Sequence, residues 1–141
     1  MPDPLPTDER TYAALLKAAR AAQAQAYAPY SHFPVGAAVL DDQGRVHAGC
    51  NVENAAYPEG TCAEAGALAA MVLAGGRRVQ AVAVVGTGEA LVTPCGGCRQ
   101  KLREFAGAGT PVLVGDGAAV RARFTLAELL PASFGPENLS R

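Results

Sequence analysis

Residues 79–86, "VQAVAVVG", narrow most sharply what this chain can become. Four valines and two alanines run on without polar alternation and stop at a glycine, the pattern of a strand buried on both faces. Such a strand needs helices above and below it. Candidates stand on either side. Tyr12, Leu15, Leu16 and Ala19 follow i, i+3, i+4, i+7 spacing, which predicts a helix capped by Thr7 and ending before Pro29. "VGAAVLDDQGRVHAGCNVEN" predicts a hairpin, with a strand over 35–40, a turn over 41–44 and a strand over 45–53. "ENAAYPEG" then reads as a loop broken by Pro58 and Gly60.

A helix is expected over 63–74, with Gly75 in the residue position that favours a left-handed backbone. Pro94 precedes a second short helix running through Phe105, "TPVLVG" gives another buried strand, and 119–124 gives a weaker one. Thr125 and Glu128 match a capping box for the last helix. Strands alternating with helices predict an α/β fold, a three-layer α-β-α sandwich around a central mixed sheet of about five strands. No repeat or boundary divides the 141 residues, so one domain over 1–141 is expected, with the proline-rich residues 1–7 extended or mobile.

Charge and hydropathy exclude several functions. The apolar fraction of 50% overstates hydropathy because 30 of those residues are alanine, and the longest apolar stretch, 65–74, falls short of the roughly 20 residues of a membrane span. Twelve basic and 13 acidic residues show no basic run beyond Arg77-Arg78, which argues against a nucleic-acid partner and for a small ligand. "MPDPLPTDER" lacks the basic start and apolar run of a signal peptide, so a cytoplasmic location is expected. Thiols stay reduced there. Cys50, Cys62, Cys95 and Cys98 are therefore read as ligands, catalysts or core rather than as disulfides.

"PCGGCRQ", residues 94–100, taken alone fits half a zinc site, a redox pair or coincidence. The joint pattern C-A-E, at Cys62 to Glu64, followed by P-C-G-G-C favours metal. Cys62, Cys95 and Cys98 as thiolates would hold Zn²⁺ and leave a fourth position for water, the layout of a catalytic site. Glu64 would then be a carboxylate beside the metal, free to move protons. Helix geometry restricts the arrangement further. Residues two apart lie about 200° apart around a helix, so Cys62 must sit at the cap and Glu64 in the first turn. Cys95 and Cys98 would meet at the start of the next helix, where amides and dipole favour thiolates. Cys50 reads as core, and His32 and His47 as packing or hydrogen-bonding residues, because three ligands are already supplied.

The combination resembles the small, three-cysteine cytidine deaminases. The resemblance is carried by "YSHFPVGAAV", "GCNVENAAYPEGTCAE", "PCGGCRQ" and "LLPASFGPENL", in order. It implies zinc-dependent hydrolysis of cytidine and 2′-deoxycytidine to the uridines with release of ammonia, in pyrimidine salvage. The zinc-activated water would attack C4 of the base, and Glu64 would carry its proton to N3 and towards the leaving amine. The same resemblance makes Asn51 and Glu53 a ribose-binding pair. Two positions apart on a strand, they would face one way while Val52 faces the core. Phe33 and Ala63 would line the base pocket, and Phe134 would reach a neighbouring subunit's site within a homotetramer.

One position departs from the pattern. Many relatives carry Arg directly after the catalytic Glu, hydrogen-bonded to the thiolates, where this chain has Ala65. Arg99, beside Cys98, and the two helix N-termini are expected to offset the thiolate charge instead. A redox protein would need neither Glu64 nor a third cysteine, and a structural zinc module would use all four cysteines and tolerate Glu64→Gln. Among deaminases, Asn51-x-Glu53-Asn54-Ala55 favours a free nucleoside over blasticidin S. The tRNA enzymes usually place His at the position of Cys62 and need a basic surface.

Overall fold

The computed structural model describes residues 8–116 and 119–139. The first helix, α1 (Glu9–Gln23), starts at Asp8, whose Oδ1 accepts the Thr11 N–H at 2.9 Å. Asp8 is thus the cap. Thr7, expected in that role, lies outside the described residues, as do the rest of the N-terminal lead-in and residues 117, 118, 140 and 141. Tyr12, Leu15, Leu16 and Ala19 form the buried stripe of α1, as their spacing predicts.

Five strands follow: β1 (Gly36–Asp41), β2 (Val46–Cys50), β3 (Val79–Val85), β4 (Pro111–Gly115) and β5 (Val120–Thr125). They form one mixed sheet in the order β2-β1-β3-β4-β5, with β3 and β4 parallel and every other neighbouring pair antiparallel. The "VQAVAVVG" run is the central strand. Its Val79, Val82 and Val84 enter one core, while Ala81, Ala83 and Val85 enter the other. The two cores lie on opposite faces. One is closed by α1, the other by α2 (Ala63–Leu73), α3 (Gly96–Phe105) and the short α4 (Leu126–Leu129). This is the expected three-layer α-β-α sandwich, and the capping box at Thr125 and Glu128 is formed. Among the described residues no helix is long and apolar enough to cross a membrane.

Close approach of backbones sets the helix positions. A Cβ at Gly36 would lie 1.9 Å from the Ala19 carbonyl oxygen, so β1 meets α1 with no room for a side chain. Gly49 on β2 meets α2 in the same way, with 2.4 Å from its would-be Cβ to the Ala67 nitrogen. Gly75 ends α2 at φ 95°, the left-handed backbone that glycine adopts without strain.

The second hairpin strand is shorter than expected. It stops at Cys50, and residues 51–53 leave the sheet to pair singly with Tyr27 and Thr61. Val52, expected in the core, is 48% exposed. Alternation fixes which way a side chain faces only while the strand stays paired, and here the chain has left its pairing with β1 after Cys50.

Candidate active site

Cys62 is the N-cap of α2 and Cys95 the N-cap of α3, both in extended backbone and neither using its sulfur to cap its helix. Cys98 lies one turn into α3 and is buried. The two helices therefore bring their N-termini together with three sulfurs between them. The Cys62 and Cys95 sulfurs are 3.8 Å apart, and all three lie within 4.8 Å of one another. Tetrahedral zinc with bonds of about 2.3 Å requires sulfurs about 3.8 Å apart, so this donor set fits Zn²⁺ held by Cys62, Cys95 and Cys98. Two helix N-termini add positive field where three thiolates must be held.

Local electrostatics divide the thiols. Burial pushes Cys98 well above the usual thiol range, and the neighbouring Glu64 and Cys62 charges add to the effect. Burial raises Cys62 as well. For Cys95 burial is overridden by the Cys98 backbone N–H and by the neighbouring sulfurs, and the net direction is downward. Cys95 is thus the readiest of the three to ionise and receive a metal.

Glu64 occupies the first turn of α2 and is only 4% exposed. Burial raises its carboxyl above the ordinary range, and its own backbone N–H, the Cys98 side chain and the positive field of Lys101 oppose that only in part. A carboxyl shifted in this direction holds a proton more readily than an ordinary carboxylate, as a group that takes and returns one must. It opens into a cavity of about 210 Å³ whose walls include Phe33, Asn51, Cys62, Ala63 and Cys95. Val35, Val92 and Thr93 complete the wall. These three carry no polar pattern that sequence reading could have singled out; Val35 reaches the site as the residue before β1, and Val92 and Thr93 through the connection between β3 and α3.

The Asn51 and Glu53 side chains are both turned onto the loop over 30–35. Asn51 accepts the Val35 N–H at 2.9 Å and donates to the Phe33 carbonyl at 2.9 Å. Glu53 accepts the Tyr30 and Ser31 N–H groups at 2.9 and 3.0 Å and also the Ser31 hydroxyl. Ser31 is the dominant influence holding the Glu53 carboxyl below its ordinary range. Ser31 was not singled out from the sequence, although "YSHFPV" places a hydroxyl beside the aromatic it helps to fix. Asn51 lines the cavity with Glu64, whereas Glu53 faces a separate cavity of about 320 Å³ with Tyr30, Ser31, Asn54 and Tyr57.

Two further residues named from the sequence lie outside this cavity. Arg99 directs its guanidinium to the Pro94 carbonyl (2.7 Å), the Leu129 carbonyl (2.7 Å) and the Thr93 hydroxyl (3.0 Å), not to a sulfur. Its three bonds fix the loop that enters α3, so any offset of the thiolate charge by Arg99, the role expected of it, would act through space and not through a hydrogen bond to sulfur. Phe134 does not line its own chain's cavity and is 57% exposed. Cys50 is half-buried and outside the sulfur cluster.

Fold and site together define a zinc-binding α/β domain with a buried carboxylate beside the metal position. The family described as "Cytidine and deoxycytidylate deaminase zinc-binding region" matches residues 9–114. The chain belongs to this family. A cytidine deaminase of Sporosarcina psychrophila is 44% identical over 126 residues, covering 89% of this chain and 93% of the relative. One from Mycobacterium tuberculosis is 46% identical over 120 residues, covering 85% and 86%. The crystal structure of a cytidine deaminase from Burkholderia pseudomallei superposes with a TM-score of 0.82 at 40% identity, covering 91% of this chain and all of that one.

Proposed function

We propose that the chain is a cytidine deaminase, hydrolysing cytidine and 2′-deoxycytidine to the corresponding uridines and ammonia in cytoplasmic pyrimidine salvage. The observation that carries this reading is a three-sulfur cluster, two of whose cysteines line one cavity of nucleobase scale together with a buried glutamate. Membership of the deaminase family, with relatives matched along nearly their whole length, supports the same substrate class.

The chemistry a bound zinc supplies is Lewis acidity, which makes water a competent nucleophile at neutral pH. Glu64 moves the protons. It takes one as water adds to C4 of the base, returns it at N3, and then assists departure of ammonia. One residue suffices because donor and acceptor atoms lie side by side and burial keeps its carboxyl easy to protonate. Ala63, the first residue of α2, is fully buried and offers a small wall against which a flat base can lie. Phe33 closes the opposite approach, and its position is fixed through Asn51 and Ser31. Asn51 and Glu53 read the ribose hydroxyls, Glu53 exchanging its Ser31 hydroxyl for a sugar hydroxyl. The active unit is a homotetramer, in which Phe134 completes a neighbouring subunit's base site.

The decisive experiment follows the loss of cytidine absorbance for the wild type and Glu64→Gln, with metal analysis of both. The expected result is one zinc per subunit in each, with turnover of the variant lower by at least about 100-fold. An inactive wild type that carries zinc would redirect the search to another aminopyrimidine.

A further inference from the structure

The segment after α4 is anchored unusually. Among residues 133–139 only Gly135 is buried, while Phe134 and Leu139 are 57% and 68% exposed. Burial of its large apolar side chains therefore does not anchor the segment. Side chains of α3 do. Gln100 Nε2 donates to the Phe134 carbonyl at 2.9 Å. Arg103 donates from Nε to Ser133 Oγ at 2.9 Å, and from its two terminal nitrogens to the two Glu137 carboxylate oxygens at 3.2 and 2.7 Å. The guanidinium also lies flat across Gly135, where a Cβ would fall 2.4 Å from Arg103 Cζ. Glycine at 135 is what lets the clamp close. Backbone is thus pinned on both sides of one aromatic ring, and the ring is left projecting into solvent.

We infer that Arg103 is a positioning residue that, together with Gln100, presents Phe134 to the base cavity of a second copy of this chain. The inference rests on the reading that Phe134 acts between subunits. Because α3 also carries Cys98, a single helix then holds a ligand of its own metal site and aims the aromatic of its neighbour's. Arginine suits the position because its planar fork satisfies Glu137 with two bonds and still reaches Ser133, which a lysine ammonium cannot do.

The test measures cytidine kinetics, zinc content and subunit mass for Phe134→Ala, Arg103→Ala, Glu137→Gln and the Arg103→Ala/Phe134→Ala double variant. Loss of one base–aromatic stack, felt equally in ground and transition states, raises KM by about tenfold with kcat within about threefold. Arg103→Ala is expected to match Phe134→Ala, and the double variant to be no worse than Phe134→Ala alone. Glu137→Gln, a mild exposed change, is expected to raise KM about threefold and carries the test should Arg103→Ala fail to fold. Mixing Arg103→Ala subunits with an excess of Glu64→Gln subunits separates clamp from scaffold. The live sites then receive intact Phe134 arms from dead neighbours, and their KM returns to the wild-type value. A raised KM that persists in those hybrids, or unchanged KM in Arg103→Ala and Glu137→Gln beside a raised one in Phe134→Ala, overturns the inference alone. Unchanged KM in Phe134→Ala overturns the reading beneath it.

Discussion

Gly49 on β2 and Gly66 on α2 cross with almost nothing between them: a Cβ on Gly66 would stand 3.4 Å from the Gly49 Cα. The contact is asymmetric. A Cβ on Gly49 would fall 2.4 Å from the Ala67 nitrogen and 2.5 Å from the Ala63 oxygen, on top of a helical hydrogen bond in the first turns of α2. Gly49→Ala is expected to push α2 off the sheet and cost about 3 kcal/mol or more, as overpacking against rigid backbone does. Zinc binding should weaken with it, because the same turn carries Cys62 and Glu64. Gly66→Ala meets only ordinary contact and gains helix propensity of up to about 1 kcal/mol, so it should be neutral or stabilising. Urea denaturation of the two variants checks the contrast, and equal destabilisation would sink it.

Ser31 links the two halves of the substrate site. Its hydroxyl donates to Glu53 and accepts the Phe33 N–H at 3.1 Å, just before His32 takes a left-handed backbone at φ 55°. Ser31→Ala leaves the Phe33 N–H and one Glu53 oxygen without this partner. The expected effect is a KM for cytidine raised about fivefold, with little change in kcat, since the Phe33 N–H bond, worth about 1 kcal/mol, is lost from a loop that binds rather than reacts. A fall in kcat at constant KM would place Ser31 in the chemical step instead.

Much of this site was legible in residue order. The C-A-E spacing required Cys62 at a helix cap with Glu64 in the first turn, the P-C-G-G-C spacing put Cys95 and Cys98 at the start of the next helix, and they are there. What sequence could not supply was the use made of long side chains. Arg99 lies one residue from a sulfur ligand in the chain, yet its guanidinium reaches a carbonyl brought in by α4, 30 residues away. The strand over 45–53 was overextended for a related reason. Alternation in "VHAGCNVEN" continues past the point where the sheet ends, and only tertiary pairing of Val52 with Thr61 shows where the chain departs.

Asp41, at the far end of β1 from the cavity, gives the fold a pH limit. It is fully buried and bonded to the Gln43 and Arg45 N–H groups, the Arg45 guanidinium and the His47 ring. Burial alone would raise the carboxyl, but these partners override it and hold it down to about 2. A depressed folded-state value means stability that is complete above the unfolded value of about 3.9 and lost as pH falls through about 2. The stability gap between the wild type and Asp41→Asn should therefore shrink by about 2 kcal/mol between pH 5 and pH 2. Urea titrations at the two pH values measure it. A constant gap would show that neutral donors, not the carboxylate charge, hold this corner.

Arg99 separates geometry from charge in the metal site. Its three acceptors are the Pro94 and Leu129 carbonyls and the Thr93 hydroxyl, so it fixes the residue before Cys95 and ties α3 to α4. Arg99→Ala removes charge-assisted bonds from a half-buried place and should cost about 2 to 3 kcal/mol. Zinc affinity should fall by roughly 10- to 100-fold, as it does when groups that orient metal ligands are lost. Arg99→Lys keeps the charge but cannot span three acceptors. If orientation of Cys95 is the role, the lysine variant will hold zinc nearly as poorly as the alanine variant in a chelator competition. If positive field on the thiolates is the role, lysine will restore wild-type affinity. The bonds observed favour the first outcome, with the N-termini of α2 and α3 left to balance the thiolate charge where Ala65 offers none.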